Sequence, residues 1–363
     1  MKKIITSLTV AFFIISIVSC SKKSTPNPTN PVTGYTQVTD GGTASLSEAR
    51  SDFAAAGFSN VVLFAGGSAD EGKTFSKTVD IFNITTATTG TGQLSEARYM
   101  LAAAGGGGKV VFAGGFNGSY SKTVDIYDVY KGGWSTAQLS EGRASLAAAA
   151  IGSTMIFAGG TTAAGVSKTV DIYDASTNKW TTASLSVART GLVAAAAGSK
   201  ILFAGGIDNS GQAVNTVDIY DIQTKAWSVA SLSTEREKFA GASAGDKVIF
   251  AGGDTNTSGR VSSADIYDAS TNKWTTSQLS EGRESLAGAG LPNIILFAGG
   301  FHGSANSSVV DAYNILTGVW TSLSLSSGRS SLTGVALGNT IFFAGGDGTS
   351  GPSKTVDFFI LTQ

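Results

Sequence analysis

The chain has 363 residues, 42% hydrophobic and 14% charged, enough for one large domain or two ordinary ones with a sizeable core. Its 25 basic and 26 acidic residues leave a formal net charge of -1, and no Lys/Arg run is dense enough to track phosphates, which excludes nucleic acid as a partner. The single cysteine excludes an internal disulfide.

At the start, Lys2 and Lys3 precede an apolar stretch from Ile4 to Val18 that is too short and too Ser/Thr-interrupted for a membrane span, so residues 1–19 read as an export signal. Ile17-Val18-Ser19-Cys20 resembles the lipobox of bacterial lipoproteins. The resemblance implies that Cys20 becomes the acylated first residue of the mature chain and that this lipid is the only contact with a membrane. Ser21, where Asp would retain such a protein at the inner membrane, resembles lipoproteins sent on to the outer membrane. Residues 20–35 then form a polar linker with Pro26, Pro28 and Pro31. Extended at about 3.1 Å per residue, the linker spans on the order of 45 Å.

Residues 36–363 form the folded part and are periodic. FAGG begins at Phe64, Phe112, Phe157, Phe203, Phe250, Phe297 and Phe343, with spacings of 48, 45, 46, 47, 47 and 46. Arg50, Arg98, Arg143, Arg189, Arg236, Arg283 and Arg329 keep the same step, as do Asp80, Asp125, Asp171, Asp218, Asp265, Asp311 and Asp357. The twelve-mer DIYDASTNKWTT occurs unchanged at Asp171 and again at Asp265, two periods on.

Each unit reads as four short strands. The first is almost wholly Ala and Gly, as in LAAAAIG from Leu146; the second is a continuous apolar run closed by Gly-Gly, as in MIFAGG from Met155. The third alternates, as in TVDIYD from Thr169, and after the turn DASTN the fourth starts at a Trp and runs into LSxxR. Four antiparallel strands at this period predict an all-β, seven-bladed propeller, with the small-residue strand innermost because seven strands crowd one axis. The seventh unit stops at Gln363 before a fourth strand, while GGTASLSEAR from Gly41 aligns with the fourth-strand tail WTTASLSVAR from Trp180. Residues near Thr36 to Ser45 are therefore expected to pair with Val356 to Ile360 and close blade seven.

A Gly-Gly doublet after an apolar strand, followed by a Tyr and a Trp seven residues apart (Tyr127 and Trp134, Tyr173 and Trp180, Tyr220 and Trp227, Tyr267 and Trp274, Tyr313 and Trp320), resembles the kelch repeat. The first unit departs from it, with Phe82 and no Trp. The glycines are expected to let an aromatic ring lie against the backbone.

The repeated Arg and Asp have two readings: a buried pair stitching adjacent blades, or a guanidinium ring around the channel mouth suited to carboxylate or sulfate groups. Glu48, Glu96, Glu141 and Glu281, each two residues before an Arg, favour the first. Recognition is expected where copies differ, on loops that emerge on one face. These positions are Tyr99, Glu237, Lys238 and Glu284 just after the arginines, with Asp52, and Phe116, Tyr120, Phe301 and His302 between the second and third strands.

The resemblance brings in two enzyme groups, copper-radical oxidases and sialic-acid epimerases. The copper site, which needs two histidines and a Cys crosslinked to Tyr, fails here on ligand count, since His302 is the only histidine. No metal or other cofactor is expected. The reading is a monomeric, envelope-tethered, non-catalytic platform for a glycan or an envelope protein. The alternative is an acid/base enzyme of epimerase or lyase type at the channel mouth, using Glu237, Glu284 or Tyr99.

Overall fold

The computed structural model describes residues 37–70 and 72–362. The signal, Cys20, the linker and Thr36 lie outside the described residues. What is described is all-β: seven four-stranded antiparallel sheets arranged as the blades of a propeller. Blade three is representative, its strands Ala147–Ile151, Thr154–Ala158, Thr169–Asp174 and Lys179–Ser184 pairing in that order from the axis outward. The innermost strands lie side by side around the axis, and Thr333–Leu337 of blade seven packs against Ala54–Phe58 of blade one to close the ring.

Burial follows the sequence pattern. The second strands are buried on both faces, as in Val61–Ala65, because a blade stands on either side. The fourth strands, such as Lys179–Ser184, expose most positions and keep the Trp half-buried. Innermost strands leave an axial cavity of about 270 Å³ lined by Ala194, Gly241, Ser243, Gly288 and Ala336 among others. Hydrophobic layers run between blades: Val111, Ile126 and Leu146 of blades two and three pack with Phe157 and Tyr173 of blade three. Each Tyr and Trp face each other across the third and fourth strands, Tyr173 and Trp180 with ring centroids 4.7 Å apart.

The seam is closed as expected. Gln37–Ser45 pairs antiparallel with Thr355–Thr362, Gln37 opposite Thr362 and Ser45 opposite Thr355, with a bulge between Asp40 and Gly42. This covers an edge that would otherwise offer unpaired backbone groups. Where the Tyr and Trp are missing, Phe53, Phe64, Phe82 and Phe342 fill the layer between blades seven and one.

The role expected of the Gly-Gly doublets needs correction. A Cβ on Gly114 (φ +67) would sit 2.5 Å from the Arg143 carbonyl oxygen and 2.9 Å from a Leu146 methyl, so the doublet makes room for the loop entering the next blade. An aromatic ring is the neighbour at Gly205, beside Phe239, and at Gly345, beside Phe53.

Candidate functional site

The seven arginines are buried at the start of each innermost strand. Each donates through Nη2 to Oδ2 of the aspartate on the third strand of its own blade, at 2.6 Å for Arg50 with Asp80 and 2.7 Å for Arg98 with Asp125. The same contact joins Arg143 to Asp171, Arg189 to Asp218, Arg236 to Asp265, Arg283 to Asp311 and Arg329 to Asp357. The stitching between blades uses the other carboxylate oxygen. Oδ1 of Asp80 accepts the Ser47 N–H at 2.9 Å, and Ser47 belongs to the connection arriving from the previous blade. Burial pulls the guanidinium pKa of Arg50, Arg143, Arg189, Arg236, Arg283 and Arg329 down, and the facing aspartate opposes it. Guanidinium groups without exposed surface have nothing to offer an anion in solution.

The variable residues sit directly above this frame. In every blade the residue after the arginine pairs with the residue after Gly-Gly, which pairs with a residue on the return of the same loop. The seven resulting spokes, each of three cross-strand neighbours, carry different chemistry. Spoke one is Ser51, Ser68, Phe75 and spoke two Tyr99, Phe116, Tyr120. Spokes three and four are Ala144, Thr161, Val166 and Thr190, Ile207, Ala213. Spoke five is Glu237, Asp254, Arg260, spoke six Glu284, Phe301, Asn306, and spoke seven Ser330, Asp347, Pro352. Side chains of directly opposed residues leave a sheet on the same side, so each triplet presents one combined surface.

Neighbouring spokes interlock. Phe75 stacks on Tyr99 (centroids 5.3 Å, 8° between planes) and meets Phe116 edge-on at 6.1 Å. Tyr120 lies against Phe116 at 5.3 Å. On the other group of blades, Arg260 donates to Glu284 Oε1 at 2.7 Å and lies over the Phe301 ring at 4.7 Å, with Lys238 3.4 Å from Glu284 Oε2. Glu284 is buried under these two cations. His302 is exposed one residue beyond Phe301, its Nδ1 3.5 Å from Ser304 Oγ. Loop tips reach across as well, Asn256 bonding both backbone groups of Ala213 and Asn306 donating to the Asp347 carbonyl.

The sequence-predicted residues therefore fall into two groups: Tyr99, Phe116 and Tyr120 over blades one and two, and Glu237, Lys238, Glu284, Phe301 and His302 over blades five and six. Phe75 and Arg260 complete these groups and were not singled out from the sequence. A signal existed, because the third member of every spoke lies five residues before the repeated aspartate. Counting forward from Gly-Gly hides it, since the loops differ in length.

A rim of left-handed residues lies inside the spokes. Asp52, Met100, Ser145, Gly191, Lys238, Ser285 and Ser331, two residues after each arginine, all have φ between +51 and +61°. Their backbones join blade to blade, the Met100 N–H donating to Asp52 and the Ser145 N–H to Met100 at 2.9 Å each. Asp52 is the perturbed group here: burial, and secondly the charge of Asp347, push its carboxyl up to about 6.

A Gly-Gly that admits the next blade's arginine loop, a buried Arg–Asp pair and a Tyr–Trp hairpin recur in one ring. The KLHDC2/KLHL20/DRC7 Kelch-repeats domain matches residues 52–237 and again 145–346, registers offset by two blades. The chain belongs to the Kelch-repeat family. No curated protein matches the chain. A Kelch propeller suggests a binding platform, and the spokes change chemistry from blade to blade in this Kelch domain.

Proposed function

We propose that this Kelch propeller is a non-catalytic, monomeric binding platform of the bacterial envelope, tethered through a lipid on Cys20 and recognising a glycan or an envelope protein with its spoke face. One observation carries the reading: on this face the repeat is broken by side chains held in place by cross-strand pairing and, at two junctions, by contacts to the next spoke. Groups so held lose little freedom on binding, which favours affinity. Topology supports the tether. Ser45 leads into the loop that carries Arg50 on the spoke side, whereas Gln37 lies at the opposite end of its blade. The first described residue, Gln37, thus lies at the end of its blade away from the spokes, which favours a tether that leaves the spoke face free.

The test is expression of the full chain with and without Cys20→Ser. Palmitate labelling and detergent-phase partitioning lost in the variant, with specific retention of envelope glycans or a defined envelope protein by the wild type, are the expected results. Partitioning unchanged by Cys20→Ser removes the tether, and loss of retention neither in Phe116→Ala nor in Arg260→Ala removes the spoke face.

The enzyme reading draws on Asp52, whose raised carboxyl pKa at the channel rim suits proton transfer. It would place acid/base chemistry at Asp52 instead of Glu284, whose carboxylate is engaged by Arg260 and Lys238. Turnover of a retained sugar, abolished by Asp52→Asn, is its signature.

A further inference from the structure

Phe75, Tyr99, Phe116 and Tyr120 come from three loops of two blades and form a single aromatic surface, each ring half-buried and half-presented. The geometry rules out one common use of four rings. An aromatic cage for an alkylammonium group keeps its walls apart so that the cation enters between them. Here the rings are in mutual contact, Phe116 standing at 89° to Phe75, 83° to Tyr99 and 73° to Tyr120, with centroid separations of 5.3 to 6.1 Å across the set. No interior remains, so the outer surface is what a ligand meets.

Two carboxylates near the pad, Glu96 and Asp70, are already engaged. Glu96 accepts from Ser121, Arg98 and Asn117; burial pushes its pKa up, and Ser121, Thr123 and the charge and bond of Arg98 outweigh this and draw it down. Asp70 is held by the backbone N–H groups of Lys73 and Thr74. None of the four pad residues carries a charge; the loops that supply them bring the hydroxyls and amides of Ser68, Asn117 and Ser119 and the exposed ammonium of Lys73. Among the described residues no charged group is fixed against the four rings, and a neutral pyranose brings both an apolar C–H face for the rings and hydroxyls for the rim. A protein partner ordinarily needs about 800 Å² per side, far more than four half-buried rings supply, while one or two sugar rings need no more than the pad.

We infer that the Phe75–Tyr99–Phe116–Tyr120 pad is a stacking subsite for neutral hexose or pentose oligosaccharides. The inference rests on the platform reading and assigns its ligand class to one junction, blades one and two.

The experiment titrates the full-length protein with xylohexaose, cellohexaose and maltohexaose, and with hexagalacturonate as the acidic control, following heat and the ring-current shifts of sugar C–H protons. At least one neutral hexaose is expected to bind saturably, with upfield C–H shifts, and to lose about tenfold or more in affinity in Tyr99→Ala and in Phe116→Ala, while Lys179→Ala, exposed on the outer strand of blade three, leaves it unchanged. Where an alanine variant fails to fold, Phe75→Leu and Tyr120→Leu with the wild-type shifts decide. Absence of binding by all neutral probes, preference for hexagalacturonate, or affinity independent of the pad overturns the inference. Binding that ignores the pad but vanishes in Arg260→Ala keeps the platform and removes this subsite. Chemical conversion of a bound hexaose removes the non-catalytic reading and leaves the subsite standing.

Discussion

Asp265 holds two blades with one carboxylate: Oδ2 receives Arg236 Nη2 at 2.6 Å and Oδ1 receives the Ser233 N–H at 2.9 Å. Through Nη1, Arg236 also donates to the Gly252 and Ser263 carbonyls, at 3.1 and 2.8 Å. The planar fork of Arg is matched to this set of acceptors, and the compact ammonium of Lys is not.

Asp265→Asn keeps the shape and removes the charge, leaving a buried guanidinium without its counter-ion. Breaking such a pair costs about 3–5 kcal/mol, seen as a lower denaturant midpoint with unchanged slope. Arg236→Lys is expected to lose a similar amount although the charge is kept. A loss under about 1 kcal/mol in both would mean the pair is dispensable to the frame.

At the rim, Asp52 titrates near 6 in the fold, above the unfolded aspartate value of about 3.9. A raised folded pKa means the folded state holds the proton more tightly. The contribution is fully present below the unfolded pKa and is lost as pH rises through about 6. Asp52→Asn is therefore expected to flatten the fall in stability between about pH 4 and pH 7, recovering on the order of 2–3 kcal/mol at pH 7.5 relative to pH 4. Asn also tolerates left-handed backbone, so the decisive readout is the change in slope with pH, not a constant offset.

The left-handed rim makes a second stability prediction. Gly191 occupies it in blade four, while Ser331 holds φ +51° with a Cβ. Ser331→Gly relieves that strain, about 1–2 kcal/mol, against about 0.5–1 kcal/mol of extra chain entropy. A net gain of roughly 0.5 kcal/mol by chemical denaturation is expected, and a loss would show that the Ser331 side chain contributes more than its backbone costs.

Starting the chain at Leu46 instead of Gln37 removes the whole outer strand of blade seven and uncovers Thr355–Thr362. The midpoint of thermal unfolding is expected to fall by more than ~10 °C, with aggregation from the open edge. Gly41→Val is the graded version: a Cβ there would come within 2.5 Å of the Phe358 ring, for a loss of about 1–3 kcal/mol. Equal melting of the shortened and complete chains would leave the seam without a role.

How much of this was legible in advance depends on whether a feature repeats. Seven Ala/Gly strands and the stray LSEAR before the first unit dictate the ring and its closure, because only small side chains fit an axis and an unpaired third strand needs a partner. Tyr99, Phe116, Glu284 and Phe301 could be chosen because they break the repeat. Phe75 and Arg260 could not be chosen by eye, since their loops differ in length and the alignment slides; measured back from Asp80 and Asp265 they fall into register. The rim conformation left one trace, Gly191, because serine, methionine and lysine give no sign of a positive φ. The burial of Glu284 was also hidden, as it depends on Arg260 arriving from the neighbouring blade.

The spokes separate two kinds of inheritance. Arg, Asp and the glycine doublet hold each blade, with the Tyr–Trp hairpin in five of the seven, and none of them belongs to a spoke triplet. Three addresses per blade, reached by fixed offsets from those anchors, are thus open to mutation without threatening the architecture. A lineage built on this scaffold can rewrite its specificity one sector at a time, the aromatic sector and the ionic sector drifting independently while the wheel that carries them stays the same.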